Sequence, residues 1–187
     1  IEIANKRGYQ YFRGSLNNKI KRWYECANNF SIEKFHTIDG DDPFFDPRLI
    51  LNSLSLLNNR QIDLVKPSDY SMNGAASVGY SIRTKILKKI VDATNDNTDT
   101  EMIEKFLNID KARIAQVEEI DYLDYQIRLT LDYVEDYEIL NFIYRELGPI
   151  PERTQIIEFF KKNPSIHKYN FFRNIQWKQK QFYKLNN

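Results

Sequence analysis

The sequence predicts an α/β fold in which a largely parallel sheet is flanked by helices. Short apolar segments of strand character alternate with segments of helical periodicity, and acidic turns follow two of the strands. The six glycines and six prolines are scattered, so no linker divides the chain. We therefore predict one domain over residues 1–187, a length sufficient for a sizeable core, with an aromatic and basic tail at 168–187.

The first half follows a repeated order of strand, loop and helix. A strand at 11–12 precedes the turn Arg13-Gly14-Ser15, and helical spacing begins near Asn17. A second strand at 35–38 runs into the acidic turn 39–43, after which Pro47 begins a helix, since proline is favoured in a first helical turn. Further strands are predicted at 63–65, 77–82, 113–118 and 126–131, and further helices at 84–93, 101–107, 135–147 and 151–160.

Composition narrows the functional class. The net charge is +1, which gives no electrostatic reason to expect a nucleic-acid partner. Cys26 is the single cysteine, so neither an internal disulfide, nor a zinc ribbon, nor a C-x-x-C redox site can form. Apolar runs are far shorter than a membrane-spanning helix requires, and no signal peptide opens the sequence at Ile1. We expect a cytoplasmic protein with no membrane partner.

Two acidic groups are predicted at the carboxyl ends of strands, where open α/β sheets bind ligands. One is the turn 39–43, which contains Asp41, and the other is Asp132 after the strand at 126–131. Paired carboxylates suit Mg²⁺, which usually takes one or two of them together with substrate phosphates. From spacing alone, solvated turn residues are the favoured interpretation of both groups.

Several motifs occur in a characteristic order. They are Phe12-Arg13-Gly14-Ser15, Arg22-Trp23, Gly40-Asp41-Asp42-Pro43-Phe44-Phe45-Asp46-Pro47, and a segment at 128–136 that reads R-L-T-L-D-Y-V-E-D. This series resembles the sugar cytidylyltransferases of the spore-coat polysaccharide type, with their F-R-G-S, G-D-x-P-x-x-D-P and R-x-T-x-D-x-x-E-D motifs. It is also similar to the synthetases of CMP-activated keto-deoxy and acylneuraminate sugars.

The resemblance implies a Rossmann-like nucleotide-diphospho-sugar transferase fold and transfer of CMP from CTP to a sugar, with release of pyrophosphate. It implies that Asp41 and Asp132 are the catalytic pair that holds Mg²⁺, and that the loop Arg13-Gly14-Ser15 contacts the nucleotide. It also implies that Arg128 contacts substrate and that the protein is a homodimer.

A sugar-binding wall is the second part of the predicted site. Gly74 and Ala75 belong to a small-residue turn that would let the backbone approach a ligand closely. Glu101 lies where the related enzymes place an acidic residue near the sugar or the dimer interface. The alternatives are a plain turn before a strand and, for 98–101, an N-terminal helix cap.

Other interpretations remain open at this point. Nothing in residues 1–11 matches the phosphate-wrapping loop of the family, so one strand-loop-helix unit is expected to be missing through a fragment, an omission or a true loss. Asp39-Gly40-Asp41 also fits the D-x-D motif of glycosyltransferases, and a non-catalytic scaffold could retain the fold. His36 and His167 have no zinc-site spacing and are expected to be structural. The aromatic and basic tail is expected to pack on the domain or on a second subunit, although its composition also resembles a single-strand nucleic-acid surface.

Overall fold

We analysed the chain as a computed structural model, which describes residues 1–107, 112–119 and 122–186, with side chains described up to residue 180. The segments of regular structure alternate between helices and short strands. The helices are α1 (Glu2–Arg7), α2 (Lys19–Asn29), α3 (Pro47–Asn58), α4 (Thr84–Asp92), α5 (Val134–Leu147), α6 (Arg153–Lys162) and α7 (Lys168–Asn186). The strands are β1 (Lys34–His36), β2 (Leu64–Lys66), β3 (Ser81–Arg83) and β4 (Ile114–Gln116).

The sheet is mixed, with the strand order β1-β3-β2-β4. β2 and β4 pair in parallel, whereas β3 is antiparallel to both β1 and β2. Three of the described strands therefore run in one direction, as predicted, and β3 runs in the opposite direction. Because β3 lies between β1 and β2, two of the three strand pairs are antiparallel and only β2 and β4 form a parallel pair. The reversal arises because β2 and β3 are joined by a short π-helical turn, Ser71–Ala75, without the crossover helix that parallel neighbours need.

Three predicted elements differ from the structure. Residues 11–12 form no strand, and the predicted helix at 101–107 is reduced to one 3₁₀ turn, Ile103–Lys105. Residues 126–131 also form no regular strand, because their amides bond to loops. Leu129 N donates to Gly74 O and Leu131 N donates to Asp41 O, each at 2.8 Å.

Side-chain alternation along β2 creates two cores, one on each face of the sheet. Leu64 packs with Ile20 of α2 and Leu87 of α4, whereas its neighbour Val65 packs with Leu57 of α3. A third cluster joins α5 and α6 to the loops beside them through Leu129, Ile143, Phe160 and others. Fully burying one such side chain contributes about 1.5–3 kcal/mol, so these contacts fix the strand ends to which the acidic turns are attached. No helix in the described ranges is long and apolar enough to cross a membrane.

The close approach of Gly79 to Thr37 joins the segment before β3 to the end of β1. A Cβ atom at Gly79 would lie only 2.0 Å from Thr37 O, so no other residue fits there without moving the backbone. Gly79 N donates to His36 Nε2 at 3.3 Å, which leaves Nδ1 as the protonated nitrogen facing Ser81 Oγ at 2.8 Å. His36 thus links β1 to β3 and to the segment before it.

We expect His36 to make folding stability depend on pH. Burial lowers the pKa of His36 from its ordinary value of 6.5 to about 4. Between these values the unfolded chain binds the proton and the folded chain does not, so stability is lost as the pH falls from 6.5 toward 4. Between pH 7 and pH 4.5 the free energy of unfolding should fall by about 2 kcal/mol less in His36→Gln than in the wild type. Urea unfolding at the two pH values is the measurement. Equal pH slopes for the variant and the wild type would contradict the assignment.

Candidate active site

The two predicted acidic turns meet at one cleft of about 670 Å³. Asp41 follows β1 and Asp132 precedes α5, and both line this cleft. Their backbones are joined directly, because Leu131 N donates to Asp41 O at 2.8 Å. Asp41 and Asp132 are 91 residues apart in sequence, and the fold brings both to the same cleft.

Asp132 is held in place by a buried arginine. Arg128 Nη2 donates to Asp132 Oδ2 at 2.6 Å, while Nε and Nη2 bind both oxygens of Asp136 at 2.9 and 3.0 Å. Arg128 and Asp136 are 1% and 0% exposed, whereas the Asp132 side chain is 31% exposed at the cleft. Arg128 was predicted to contact substrate, and it does line the cleft. Its hydrogen bonds to Asp132 and Asp136 hold Asp132 against the start of α5.

Asp42 adds a third carboxylate beside the pair. Burial raises the pKa of Asp42 to about 7, the negative charges of Asp41, Asp39 and Asp132 add to the rise, and a hydrogen bond with Thr130 opposes it. Asp39, Asp41, Asp42 and Asp132 all line this cleft, so their negative charges repel one another. A cation placed among them would relieve that repulsion.

The donor set fits a metal that arrives with its substrate. Within the described residues, no group of three or more His, Cys, Asp or Glu side chains is arranged to hold an ion on its own. Asp41 and Asp132 supply two carboxylates at one cleft, which is the usual protein share of a Mg²⁺ site completed by water and phosphate oxygens.

The remaining predicted site residues divide into two groups. Gly74 and Glu101 line the cleft with Asp41, Asp132 and Arg128. Ala75, in contrast, is fully buried in the cluster with Ile127 and Ile143, because the π-helical turn directs its side chain into the core. The expected substrate contact of Ala75 is therefore replaced by a packing role.

Residues 13–15 are not among those that line the cleft. Arg13 borders a separate surface pocket near Ile1, while Ser15 Oγ donates to Asp96 O at 3.1 Å and accepts from Asn18 N at 3.1 Å. Gly14 packs against Arg22 of α2. In this structure the loop fixes the start of α2, and its predicted contact with the nucleotide stays a prediction.

Gly74 is needed for its backbone geometry. Its φ is +126°, outside the range that side chains readily allow, and a Cβ there would lie 2.7 Å from Ile127 O. This conformation brings Gly74 O to Leu129 N, so the turn is attached to the segment that leads into Asp132.

Asp46 has a role that the motif alone did not reveal. Only 2% exposed, it accepts from Arg48 N at 2.7 Å through Oδ1 and from Arg153 N at 3.0 Å through Oδ2. It therefore caps the N-termini of α3 and α6, and Asp46 N also donates to Ser77 O at 2.8 Å. The final Asp-Pro of the G-D-x-P-x-x-D-P motif stabilises the scaffold behind Asp41.

Asn18 caps α2 in a way that requires an amide. Its Oδ1 accepts from Lys21 N at 2.8 Å and from Thr100 Oγ1 at 3.2 Å, and its Nδ2 donates to Thr94 Oγ1 and Asn95 O, each at 2.9 Å. Asn18 is fully buried, so both ends of the amide need their partners.

Asn18→Asp should therefore destabilise the protein by about 2–4 kcal/mol, even though aspartate is an equally good helix cap at an exposed site. The change replaces a donor by a charged oxygen that faces Asn95 O. Urea unfolding is the measurement, with the exposed α3 change Asn52→Asp as a matched control. Similar stabilities for the two variants would show that the amide donors contribute little.

Sequence reasoning missed the contribution of α7. Asn174, Trp177 and Lys178 line the cleft, whereas the segment was predicted only as a tail that packs elsewhere. A signal was available: Asn170, Asn174 and Lys178 follow a four-residue spacing, and asparagine is a poor helix former that needs a specific reason at such positions.

No protein-family model matches the sequence. In sequence, the chain is 25% identical over 174 residues to an uncharacterized protein of Methanocaldococcus jannaschii, covering 91% of this chain and 70% of that protein. It is 23% identical over 168 residues to the spore coat polysaccharide biosynthesis protein SpsF of Bacillus subtilis (strain 168), covering 85% of this chain and 68% of SpsF.

In structure, the chain is similar to a cytidylyltransferase from Leptospira borgpetersenii serovar Hardjo-bovis. The TM-score is 0.75 at 26% sequence identity, over 89% of this chain and 71% of the other. The chain therefore has the nucleotide-diphospho-sugar transferase fold, and its resemblance to the sugar cytidylyltransferases is confirmed by a relative in sequence and by a solved structure.

Proposed function

We propose that the protein is a Mg²⁺-dependent cytidylyltransferase that transfers CMP from CTP to a sugar in the biosynthesis of polysaccharides. Its similarity to a cytidylyltransferase and to SpsF supports a nucleotidyltransferase role in polysaccharide biosynthesis. The observation that carries the proposal is the meeting of Asp41 and Asp132 at one cleft, joined by the bond from Leu131 N to Asp41 O.

In the proposed reaction, an oxygen of a sugar hydroxyl forms a bond to the α-phosphorus of CTP. The bond from that phosphorus to the bridging oxygen breaks, pyrophosphate leaves, and the hydroxyl proton is released. When bound, Mg²⁺ would supply positive charge that offsets the negative charge of the phosphates. Asp41 and Asp132 would hold the metal and Arg128 would keep Asp132 oriented, so the protein contributes mainly alignment and charge.

The glycosyltransferase alternative is less well supported. A D-x-D site would need Asp39 for the metal, but Asp39 forms an ion pair with Lys19 at 2.8 Å. Asp132 is ion-paired as well, with Arg128 at 2.6 Å, so the ion pair of Asp39 does not by itself decide between the two reactions. The similarity to a cytidylyltransferase and to SpsF is what favours CMP transfer.

The test is incubation of the full-length protein with CTP, Mg²⁺ and a panel of sugars, with separate measurement of pyrophosphate and of the nucleotide product. We expect stoichiometric pyrophosphate and CMP-sugar, and none of either when Mg²⁺ is chelated. Release of a nucleoside diphosphate from a sugar nucleotide, without pyrophosphate, would instead favour a glycosyltransferase. The absence of both reactions across the panel would contradict the proposal.

A further inference from the structure

One wall of the cleft is formed by α7. Asn174, Trp177 and Lys178 line the cleft together with Asp41 and Asp132. Their spacing of three and four residues puts the three side chains on one face of the helix. The helix is therefore a structural part of the site.

Asn73 holds this wall in place. Asn174 Nδ2 donates to Asn73 O at 2.7 Å, and Lys178 Nζ donates to Asn73 Oδ1 at 2.8 Å. The orientation of the Asn73 amide is itself fixed, because its Nδ2 donates to Asp69 O at 2.7 Å. The ammonium group of Lys178 is thus anchored at the cleft by a neutral partner.

Lys178 differs from the other cations that line the cleft. Within the described residues these are Lys19, Arg128 and Lys178. Lys19 pairs with Asp39, and Arg128 pairs with Asp132 and Asp136, so both charges are neutralised by carboxylates. The hydrogen bond described for Lys178 goes to an uncharged amide, which leaves its charge available to an anionic group.

Trp177 stands next to this cation and is half-buried at the cleft. An indole offers a flat apolar surface on which a sugar ring or a nucleobase can pack. The two neighbouring residues therefore present a ring-binding surface and a positive charge side by side.

We infer that Trp177 and Lys178 bind a substrate group in which a ring is joined to anionic oxygens, with the indole against the ring and the ammonium group paired with the anion. The inference rests on the proposed function, since it assigns substrate contacts within the same cleft. The anion has two sources, namely a phosphate of the nucleotide or a carboxylate on the sugar. Asn73 is the positioning residue for both wall residues, because it anchors the helix that carries them.

The test compares Lys178→Gln with Lys180→Gln in the full-length protein. Lys180 is on the same helix but lies over Tyr133, outside the cleft lining, so this control loses the same charge. We expect Lys178→Gln to lower the affinity for one substrate about 10- to 100-fold, because a hydrogen bond to a charged group is lost. The value of kcat should change little. Trp177→Leu should weaken the binding of the same substrate.

Two measurements separate the sources. If the anion is a phosphate, calorimetric titration with CTP and Mg²⁺ will show the loss without any sugar present. If it is a carboxylate, CTP affinity will stay unchanged and the KM for the sugar will rise. Lys178→Arg keeps the charge and should retain most of the binding, which excludes a mere folding effect.

The inference is overturned if Lys178→Gln and Trp177→Leu both bind and turn over substrates like Lys180→Gln in an active enzyme. A wild-type protein that releases no pyrophosphate overturns the proposed function and the inference together. The two failures are thus distinguished by the wild-type assay.

Discussion

Replacing Asp41 or Asp132 by asparagine should abolish Mg²⁺-dependent release of pyrophosphate while leaving the fold intact. Each change removes one carboxylate charge from the proposed metal site, which should cost several kcal/mol of transition-state stabilisation, or about 100- to 10,000-fold in rate. Neither side chain is part of a core cluster, and Asp132 is 31% exposed, so the stability cost should be small. The measurement is pyrophosphate release in the full-length protein as a function of Mg²⁺ concentration, together with urea unfolding.

Asp39→Asn is the matched control. Asp39 lines the same cleft two residues from Asp41 but is not one of the proposed metal ligands, so its loss should reduce the rate far less. Near-normal turnover of Asp41→Asn or Asp132→Asn, with unchanged dependence on Mg²⁺, would exclude these residues as metal ligands. An equal loss in all three variants would indicate a general charge effect of the acidic cleft.

Local signals predicted the helices α2 to α6, but they also predicted a helix at 101–107 and missed α7. α3 begins at Pro47 as expected, and α5 ends before Gly148, because proline and glycine act on the backbone directly wherever they occur. The positions of the acidic turns could also be predicted from local sequence, since each turn follows an apolar segment that must enter the core. The motif order then indicated that Asp41 and Asp132 belong to one site.

Pairing and long-range contacts could not be predicted in this way. The direction of β3 depends on which strand it pairs with, and nothing in its own three residues specifies that partner. Trp177 and Lys178 line the cleft because hydrogen bonds hold α7 against Asn73. Asn73 lies 101 residues before Asn174, so no local pattern reveals this contact. Ala75 was misassigned because a small-residue turn looks the same in sequence whether its side chain faces a ligand or the core.

Arg128→Met should destabilise the protein by about 3–5 kcal/mol, because it leaves the carboxylate of Asp136 buried without its cation. Arg128 is 1% exposed and binds Asp136 through two hydrogen bonds, while Nη1 donates to Asn174 Oδ1 at 3.2 Å. The change therefore removes the side-chain bonds of Arg128 to the Asp132 turn, α5 and α7 at once. Urea unfolding of the variant measures the loss.

The surface ion pair of the same two helices provides the control. Arg173 of α7 binds both oxygens of Glu135 of α5 at 2.6 and 3.0 Å, but the two side chains are 27% and 25% exposed. Arg173→Met should cost at most about 1 kcal/mol, since water and salt screen that pair. Equal losses for the two arginines would show that burial does not strengthen the Arg128 network.

The double variant Arg128→Met/Asp136→Asn isolates the cause of the loss. If the unpaired charge of Asp136 is responsible, neutralising it should make the double variant more stable than Arg128→Met alone. Asparagine keeps an acceptor for the amides of Asp132 and Tyr133, each of which donates to Asp136 Oδ2 at 3.0 Å, so the start of α5 should remain capped. A double variant that is less stable than Arg128→Met would mean that Asp136 stabilises the fold chiefly through those backbone amides and through Asn170, whose Nδ2 donates to Asp136 Oδ1 at 3.0 Å. In that case the stability lost in Arg128→Met would come from the bonds of Arg128 to Asp132 and Asn174 rather than from an unpaired charge on Asp136.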